Sequence, residues 1–295
     1  MPPLPARTRD YLGPVTDTRP WDSFDTRAGD IVLSTPPKCG TTWSQAILMM
    51  LIHGQAVGDR SVWRDSVWLD CAFRDTPGQK ALLDAQTHQR CIKSHAPFDS
   101  IPYRKDMIYI SVYRHPLDMH FSLMKHISNL KVDLIDFVAP PEPGAPFARF
   151  ISYPATDMGT DDLTLASMLV HYRSFAKFAD LPNVHLFHYA DLSRDLPGHI
   201  RKYAETIGTP VTDTLVDQIA KAASFGSMKQ TTRDETTPDS QGAFREPHKF
   251  FDSASSQKWL GRLSEDEIAT YHARIAELAS PEEIAFLENG HGAAA

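Results

Sequence analysis

Cysteine is scarce: 295 residues hold three, Cys39, Cys71 and Cys91. A small, odd set excludes a disulfide framework and points to a reducing compartment, with the cytoplasm as the expectation. Long apolar runs are missing as well. The longest, "AILMMLI", falls far short of the roughly 20 residues that cross a bilayer, and the opening "MPPLPARTRDYLG" contains no signal-peptide core. A soluble chain is expected, still able to meet a lipid head group as a peripheral membrane contact. Positive charge is in deficit, with 30 Lys and Arg against 37 Asp and Glu and a net charge of -7. That excludes a nucleic-acid-binding face, which needs clustered cations, but not a local site for a small anion. There is no internal repeat, no HExxH and no metal-type Cys/His spacing, so no metal is expected.

What is present is a chain with 42% hydrophobic residues, enough for a large core. "DIVLST" (Asp30 to Thr35) reads as a buried strand, and Thr41 to Leu51 as a helix with Trp43, Ile47, Leu48 and Leu51 on its apolar side. "QRCIKSHAPF" gives a strand ending near Lys93, and "DMIYISVYRHP" one that stops at Arg114, before a helix from Pro116 to about Ile127. Ala139 to Pro154, with "PPEPGAP", reads as a loop, Thr164 to Phe178 as a helix, and "NVHLFHY" as a strand. Asp191 to Ile207 is expected to be one helix capped by Asp191, and Ser227 to Ser256 polar and irregular. A helix over Ser264 to Leu278 opens with the capping-box pattern "SEDE". Strands alternating with helices predict an α/β single domain with a central, mostly parallel sheet and ligands at the carboxyl ends of its strands. The expected division is an N-terminal segment over 1–29, the domain over 30–280 and a C-terminal tail over 281–295.

Lys38, Lys93 with His95, and Arg114 each follow a predicted strand, so they should converge on one rim. "STPPKCGTTW" has the strand, tight loop and helix order of a phosphate site, with Lys38 as cation and Thr41 and Thr42 as hydroxyl donors. Its lysine precedes the glycine, whereas ATP-binding P-loops place Lys after the last Gly. Arg114, eight residues before Ser122, is a candidate for a second phosphate. His95 is a candidate base, since an imidazole titrates near neutrality.

Taken together, these residues resemble the PAPS-dependent sulfotransferases of the soluble, cytosolic type (PAPS is 3'-phosphoadenosine 5'-phosphosulfate), and bacterial members in particular. "TPPKCGTTW" matches that family's 5'-phosphosulfate loop through Lys38, Gly40, Thr41, Thr42 and Trp43, with Cys39 where Ser or Ala is the rule. "KSHAP" matches its K-[TS]-H-x-P signature, which implies His95 as base and Lys93 as support; "RHPLDMHFS" matches the 3'-phosphate box through Arg114 and Ser122. "HYADL" offers Tyr189 on the adenine side, "ASFGSM" retains Ser224, Phe225 and Met228, and of the R-K-G clamp only Arg245 remains, followed by Glu246 and Pro247. The ordered set spans about Ile31 to Tyr271. It implies a P-loop-like (nucleotide-kinase-like) sulfotransferase fold, PAPS as donor with 3',5'-adenosine bisphosphate (PAP) as product, and a small-molecule or lipid-linked hydroxyl acceptor.

In the implied reaction Lys38 acts on the leaving-group oxygen, His95 removes the acceptor proton, Lys93 and Thr42 meet the sulfuryl oxygens, and Trp43 and Phe225 stack on adenine. Trp63, Trp68, Phe73 and Phe147 are the acceptor-lining candidates; their aromatics suit a phenol, a sterol or a lipid-linked sugar. At Cys39 a space-filling role is weighed above an oxidation-sensitive thiol. Two rivals stand beside this reading: a P-loop nucleotide kinase, against which the lysine position argues, and a non-catalytic nucleotide-binding protein, against which the retention of both Lys38 and His95 argues.

Overall fold

The computed structural model describes residues 3–56, 65–131, 144–234, 244–246 and 256–292. Four strands, β1 (Ile31–Ser34), β2 (Cys91–Ser94), β3 (Ile108–Tyr113) and β4 (Val184–His188), form one sheet in the order β2-β1-β3-β4. Every pairing within it is parallel, with Leu33 opposite both Lys93 and Ile110, and Tyr113 opposite His188. All residues of β1 and β2 are buried, as in a sheet covered on both faces, which is why β1 reads as an unbroken apolar run.

Among the described residues the α-helices are α1 (Thr41–His53), α2 (Thr76–Asp84), α3 (Pro116–Ser128), α4 (Ala145–Ser152), α5 (Leu165–Ala176), α6 (Tyr189–Arg194), α7 (Leu196–Thr206), α8 (Asp213–Ala222), α9 (Phe225–Asp234), α10 (Glu265–Leu278) and α11 (Pro281–Asn289). Strand side chains alternate between the faces. Ile31, Leu33, Ile110 and Val112 pack with Ile47 and Leu51 of α1, Ile200 and Tyr203 of α7 and Ile219 of α8. On the other face Val32, Ile92 and Tyr109 join Trp21, Phe98 and Phe175. Beyond the sheet's carboxyl edge, α3, α4, α5, α10 and α11 share a core that includes Leu123, Phe150, Met168, Ile275 and Leu287. Truncating a fully buried residue such as Ile47 to Ala costs about 2–5 kcal/mol. No described helix is long and apolar enough to cross a membrane.

Three local expectations need correction. The stretch read as a loop contains α4: Gly144 adopts φ 79° as its N-cap and Pro146 lies in its first turn, so the Gly and Pro that suggest a loop mark a helix start. The single helix expected from Asp191 is two. His188 caps α6, and Asp195 caps α7 by accepting from the Gly198 N–H. Asp191 instead sits in the first turn of α6 and accepts from the backbone and ring of His291, fastening the end of the chain to the exit of β4. The polar stretch after Ser227 begins inside α9.

Candidate active site

Between β1 and α1 the chain turns through two left-handed residues, Lys38 at φ 66° and Gly40 at φ 106°. At Gly40 only glycine fits, since a Cβ would lie 3.0 Å from the Tyr189 ring as well as in a disfavoured conformation. Lys38 holds its conformation without that freedom, at a cost of about 1–2 kcal/mol. The loop is tied back to β1 by Thr35 and Thr41, whose hydroxyls lie 2.5 Å apart. Cys39 is fully buried beside Tyr113 and Leu117. Burial pushes its thiol up to about 12, against the thiolate that oxidation needs, so it acts as a packing residue.

At the exit of β2, His95 is buried and its Nδ1–H donates to the Thr35 carbonyl at 2.7 Å, which leaves Nε2 with the lone pair. Its own carbonyl accepts from the Thr160 hydroxyl at 2.6 Å. The Lys93 ammonium rests 3.7 Å from the centroid of the Trp68 ring. Trp68 meets His95 edge-to-face at 4.9 Å between ring centroids and Phe73 at 5.8 Å. Phe73 is 64% exposed, so the three rings run from solvent to the imidazole.

At the exit of β3, the Arg114 guanidinium lies 4.1 Å over the ring of Tyr189, the first residue of α6. Tyr189 also packs on Trp43 at 5.3 Å. The Trp43 indole N–H donates to the Ala223 carbonyl at 2.8 Å, which anchors the loop's aromatic to the segment bearing Ser224, Phe225 and Met228. Phe225 opens α9 under the Lys229 ammonium at 5.7 Å, and Met228 is buried. Ser122 is half-buried on α3. Arg245 is exposed; its backbone and side chain donate to the carbonyls of Asn129 and Leu130 at the end of α3. Glu246 exchanges two hydrogen bonds with the Asn129 amide.

Burial first, and neighbouring positive charge second, depress these groups. Lys38 is pushed down to about 8 by burial and by nearby Arg114 and Lys258. Lys93 is pushed down to about 7 by burial, with Arg74 and Lys38 adding to it. Burial and the Lys93 charge hold His95 well below the usual imidazole range. Positive groups crowded together at the carboxyl edge of a parallel sheet, beside the tilted Trp43–Tyr189 pair, have the chemistry to meet an anion.

The structure thus gathers Lys38, Thr41, Trp43, Lys93, His95, Arg114 and Tyr189 around one rim. Trp68 and Phe73 lie beside its base. Phe147 belongs to the core shared by α3 and α4, with its ring 6.0 Å from that of His120, and Trp63 lies outside the described residues. Sequence reasoning missed His126, one helical turn beyond Ser122 on α3. Lys38 Nζ donates to its Nδ1 at 3.4 Å, and its imidazole is held down by burial and by Lys38, Lys93 and His95. Its i, i+4 spacing from Ser122 was the available signal. Thr35 and Thr160, which fix His95 from both sides, are not among the residues that carry the family match.

A family model described as a sulfotransferase domain matches residues 28–281. The chain belongs to the sulfotransferase family. It is a sulfotransferase enzyme, one that moves a sulfuryl group. This sulfotransferase is 29% identical to the glycolipid sulfotransferase of Mycobacterium tuberculosis, over 95% of this chain and 94% of that protein. It is 27% identical to sulfotransferase 1E1 of Bos taurus, over 74% and 72%. Retinol dehydratase in complex with androsterone and PAP superposes with a TM-score of 0.69 at 17% identity, covering 92% of this chain and 91% of that one. A mouse sulfotransferase complexed with PAP gives 0.68 at 17%, covering 90% and 89%. The sulfotransferase therefore has the family's α/β fold.

Proposed function

We propose that this sulfotransferase uses PAPS as donor and sulfates a hydroxyl group of a glycolipid, another lipid or a small aromatic alcohol. The convergence of the buried Lys38, Lys93 and Arg114 beside the Trp43–Tyr189 pair carries the reading, because cations held out of water call for an anionic ligand. The donor set fits such a group: three cations for phosphates and sulfuryl oxygens, and Trp43 and Tyr189 for a purine. The relatives add to this, since two of the similar structures hold PAP and a relative spanning nearly the whole chain is a glycolipid sulfotransferase.

When bound, PAPS supplies an activated sulfur and a leaving phosphate whose bridging oxygen gathers negative charge. Lys38 neutralises charge at that oxygen, a role of positioning and electrostatics like that of the cations in phosphoryl transfer. Lys93 and Thr42 hold the sulfuryl oxygens. Arg114 and Ser122, with Arg245, bind the 3'-phosphate; Gly40, Cys39 and Thr41 shape the loop through their backbone; Trp43, Tyr189, Ser224, Phe225 and Met228 form the adenine side. His95 Nε2 takes the acceptor proton while Thr35 fixes the opposite nitrogen. Trp68 and Phe73 lead an apolar acceptor from solvent to that nitrogen. Three buried free thiols suit a reducing compartment such as the cytoplasm.

Thermal unfolding separates this reading from a P-loop kinase. PAP should raise the melting temperature without magnesium. Stabilisation by ATP with magnesium, and none by PAP, contradicts it.

A further inference from the structure

Asp70 is fully buried and so far without a role in the reaction. It ends a segment that runs alongside β2: the Val67 carbonyl accepts from the Lys93 N–H at 2.8 Å, and Trp68 forms a parallel bridge with Lys93. Its carboxylate collects three side-chain donors. Oδ2 accepts from the Trp21 indole at 3.0 Å and the Ser94 hydroxyl at 2.6 Å, and Oδ1 accepts from the Trp68 indole at 2.9 Å. Each of the last two leads to the reacting groups. The Ser94 hydroxyl also accepts from the Ala96 N–H at 2.9 Å, so the backbone on both sides of His95 is fastened to it. The Trp68 ring carries the Lys93 ammonium on its face and touches His95 edge-to-face.

We propose that Asp70 is the positioning residue of the reaction: it fixes the Trp68 plane on which Lys93 rests and, through Ser94, the turn that aims His95. The inference rests on the roles given above to His95 and Lys93. Three neutral donors alone do not require a carboxylate, and keeping one buried is costly. Burial raises this one to about 6, so it is ionised at neutral pH. Its charge has a use there, because burial destabilises the Lys93 ammonium and Asp70 is one of the groups that offset this. A rigid plane beneath Lys93 and a countercharge behind it thus come from a single side chain.

The test is Asp70→Asn in the full chain, assayed for sulfuryl transfer from PAPS alongside PAP affinity and melting temperature. An amide has one acceptor oxygen for three donors, and its NH2 cannot accept from an indole. A misplacement of this kind costs up to about 10²-fold in kcat, and that loss is expected with PAP affinity retained. The alkaline limb of the rate should also move to lower pH, since Lys93 faces Asp70, Cys71, Arg74 and Lys38, and Asp70 raises its pKa. Asp70→Glu should restore part of kcat and return the limb. Trp68→Phe keeps a ring under Lys93 but removes the N–H given to Asp70; it should lower kcat on its own and add little to Asp70→Asn. It carries the test if the Asp70 variants do not fold, and unchanged kcat in Trp68→Phe then overturns the inference. Wild-type kcat and pH profile in Asp70→Asn, with any loss confined to melting temperature, also overturn it. Absence of transfer by the wild-type chain overturns the functional assignment and this inference together, whereas equal transfer by wild type and variant overturns this inference alone.

Discussion

The guanidinium of Arg114 lies over Tyr189, 4.1 Å from its ring centroid, and Tyr189 in turn lies against Trp43. The exits of β1, β3 and β4 therefore meet in one aromatic and cationic layer, which holds Arg114 in place before any nucleotide arrives. Arg114→Ala should weaken PAP by about 1.5–3 kcal/mol, the range for a hydrogen bond to a charged group. Adenosine 5'-phosphosulfate, lacking the 3'-phosphate, should lose much less, and Ser122→Ala should follow the same order with smaller losses. Calorimetric titration of both nucleotides checks this, and equal losses remove Arg114 and Ser122 from the 3'-phosphate.

In the proposed reaction Lys38 trades stability for function. A lysine at φ 66° is strained, so Lys38→Gly should relieve about 1 kcal/mol of strain and raise the melting temperature of the free protein. Turnover should collapse in the same variant, because no cation remains at the leaving-group oxygen. Lys38→Ala should lose turnover without gaining stability. A Lys38→Gly variant that is no more stable than Lys38→Ala contradicts the strain argument.

Nucleotide binding should take up protons. Burial and nearby cations depress Lys38 to about 8 and Lys93 to about 7, so near pH 8 both amines are partly deprotonated in the free protein. An anion beside them favours the ammonium form and moves both values back up. Uptake should be largest around pH 7.5 to 8.5 and fade below pH 6, where both are already protonated. Calorimetry in buffers of different ionisation enthalpy measures the count; release of protons at pH 8 contradicts the cationic site.

Strand exits were legible because buried parallel strands read as apolar runs ending at "STPPK", "KSH" and "YRHP". The motifs there located Lys38, Lys93, His95 and Arg114 without a structure. The helix boundaries that failed did so at ambiguous punctuation: Pro146 and Pro197 stand in first helical turns, where proline is as much at home as in a loop. In "YADLSRDLPG" both aspartates have the chemistry of a cap, and only the fold shows that Asp195 serves as one. Asp70 and Thr35 act through partners distant in sequence, Asp70 across 24 residues to Ser94 and Thr35 across 60 to His95, so no local spacing reveals those roles.

Transfer of radioactive sulfur from labelled PAPS to a glycolipid-containing lipid extract, by the wild-type chain and by His95→Ala at equal PAPS occupancy, tests the central claim most directly. Label should move to the lipid fraction with the wild type and fall about 10²- to 10⁴-fold in the variant, the contribution of a positioned base. Label that stays in the nucleotide pool with the wild-type chain, for lipid and for simple phenols alike, or that moves equally fast without His95, contradicts the account.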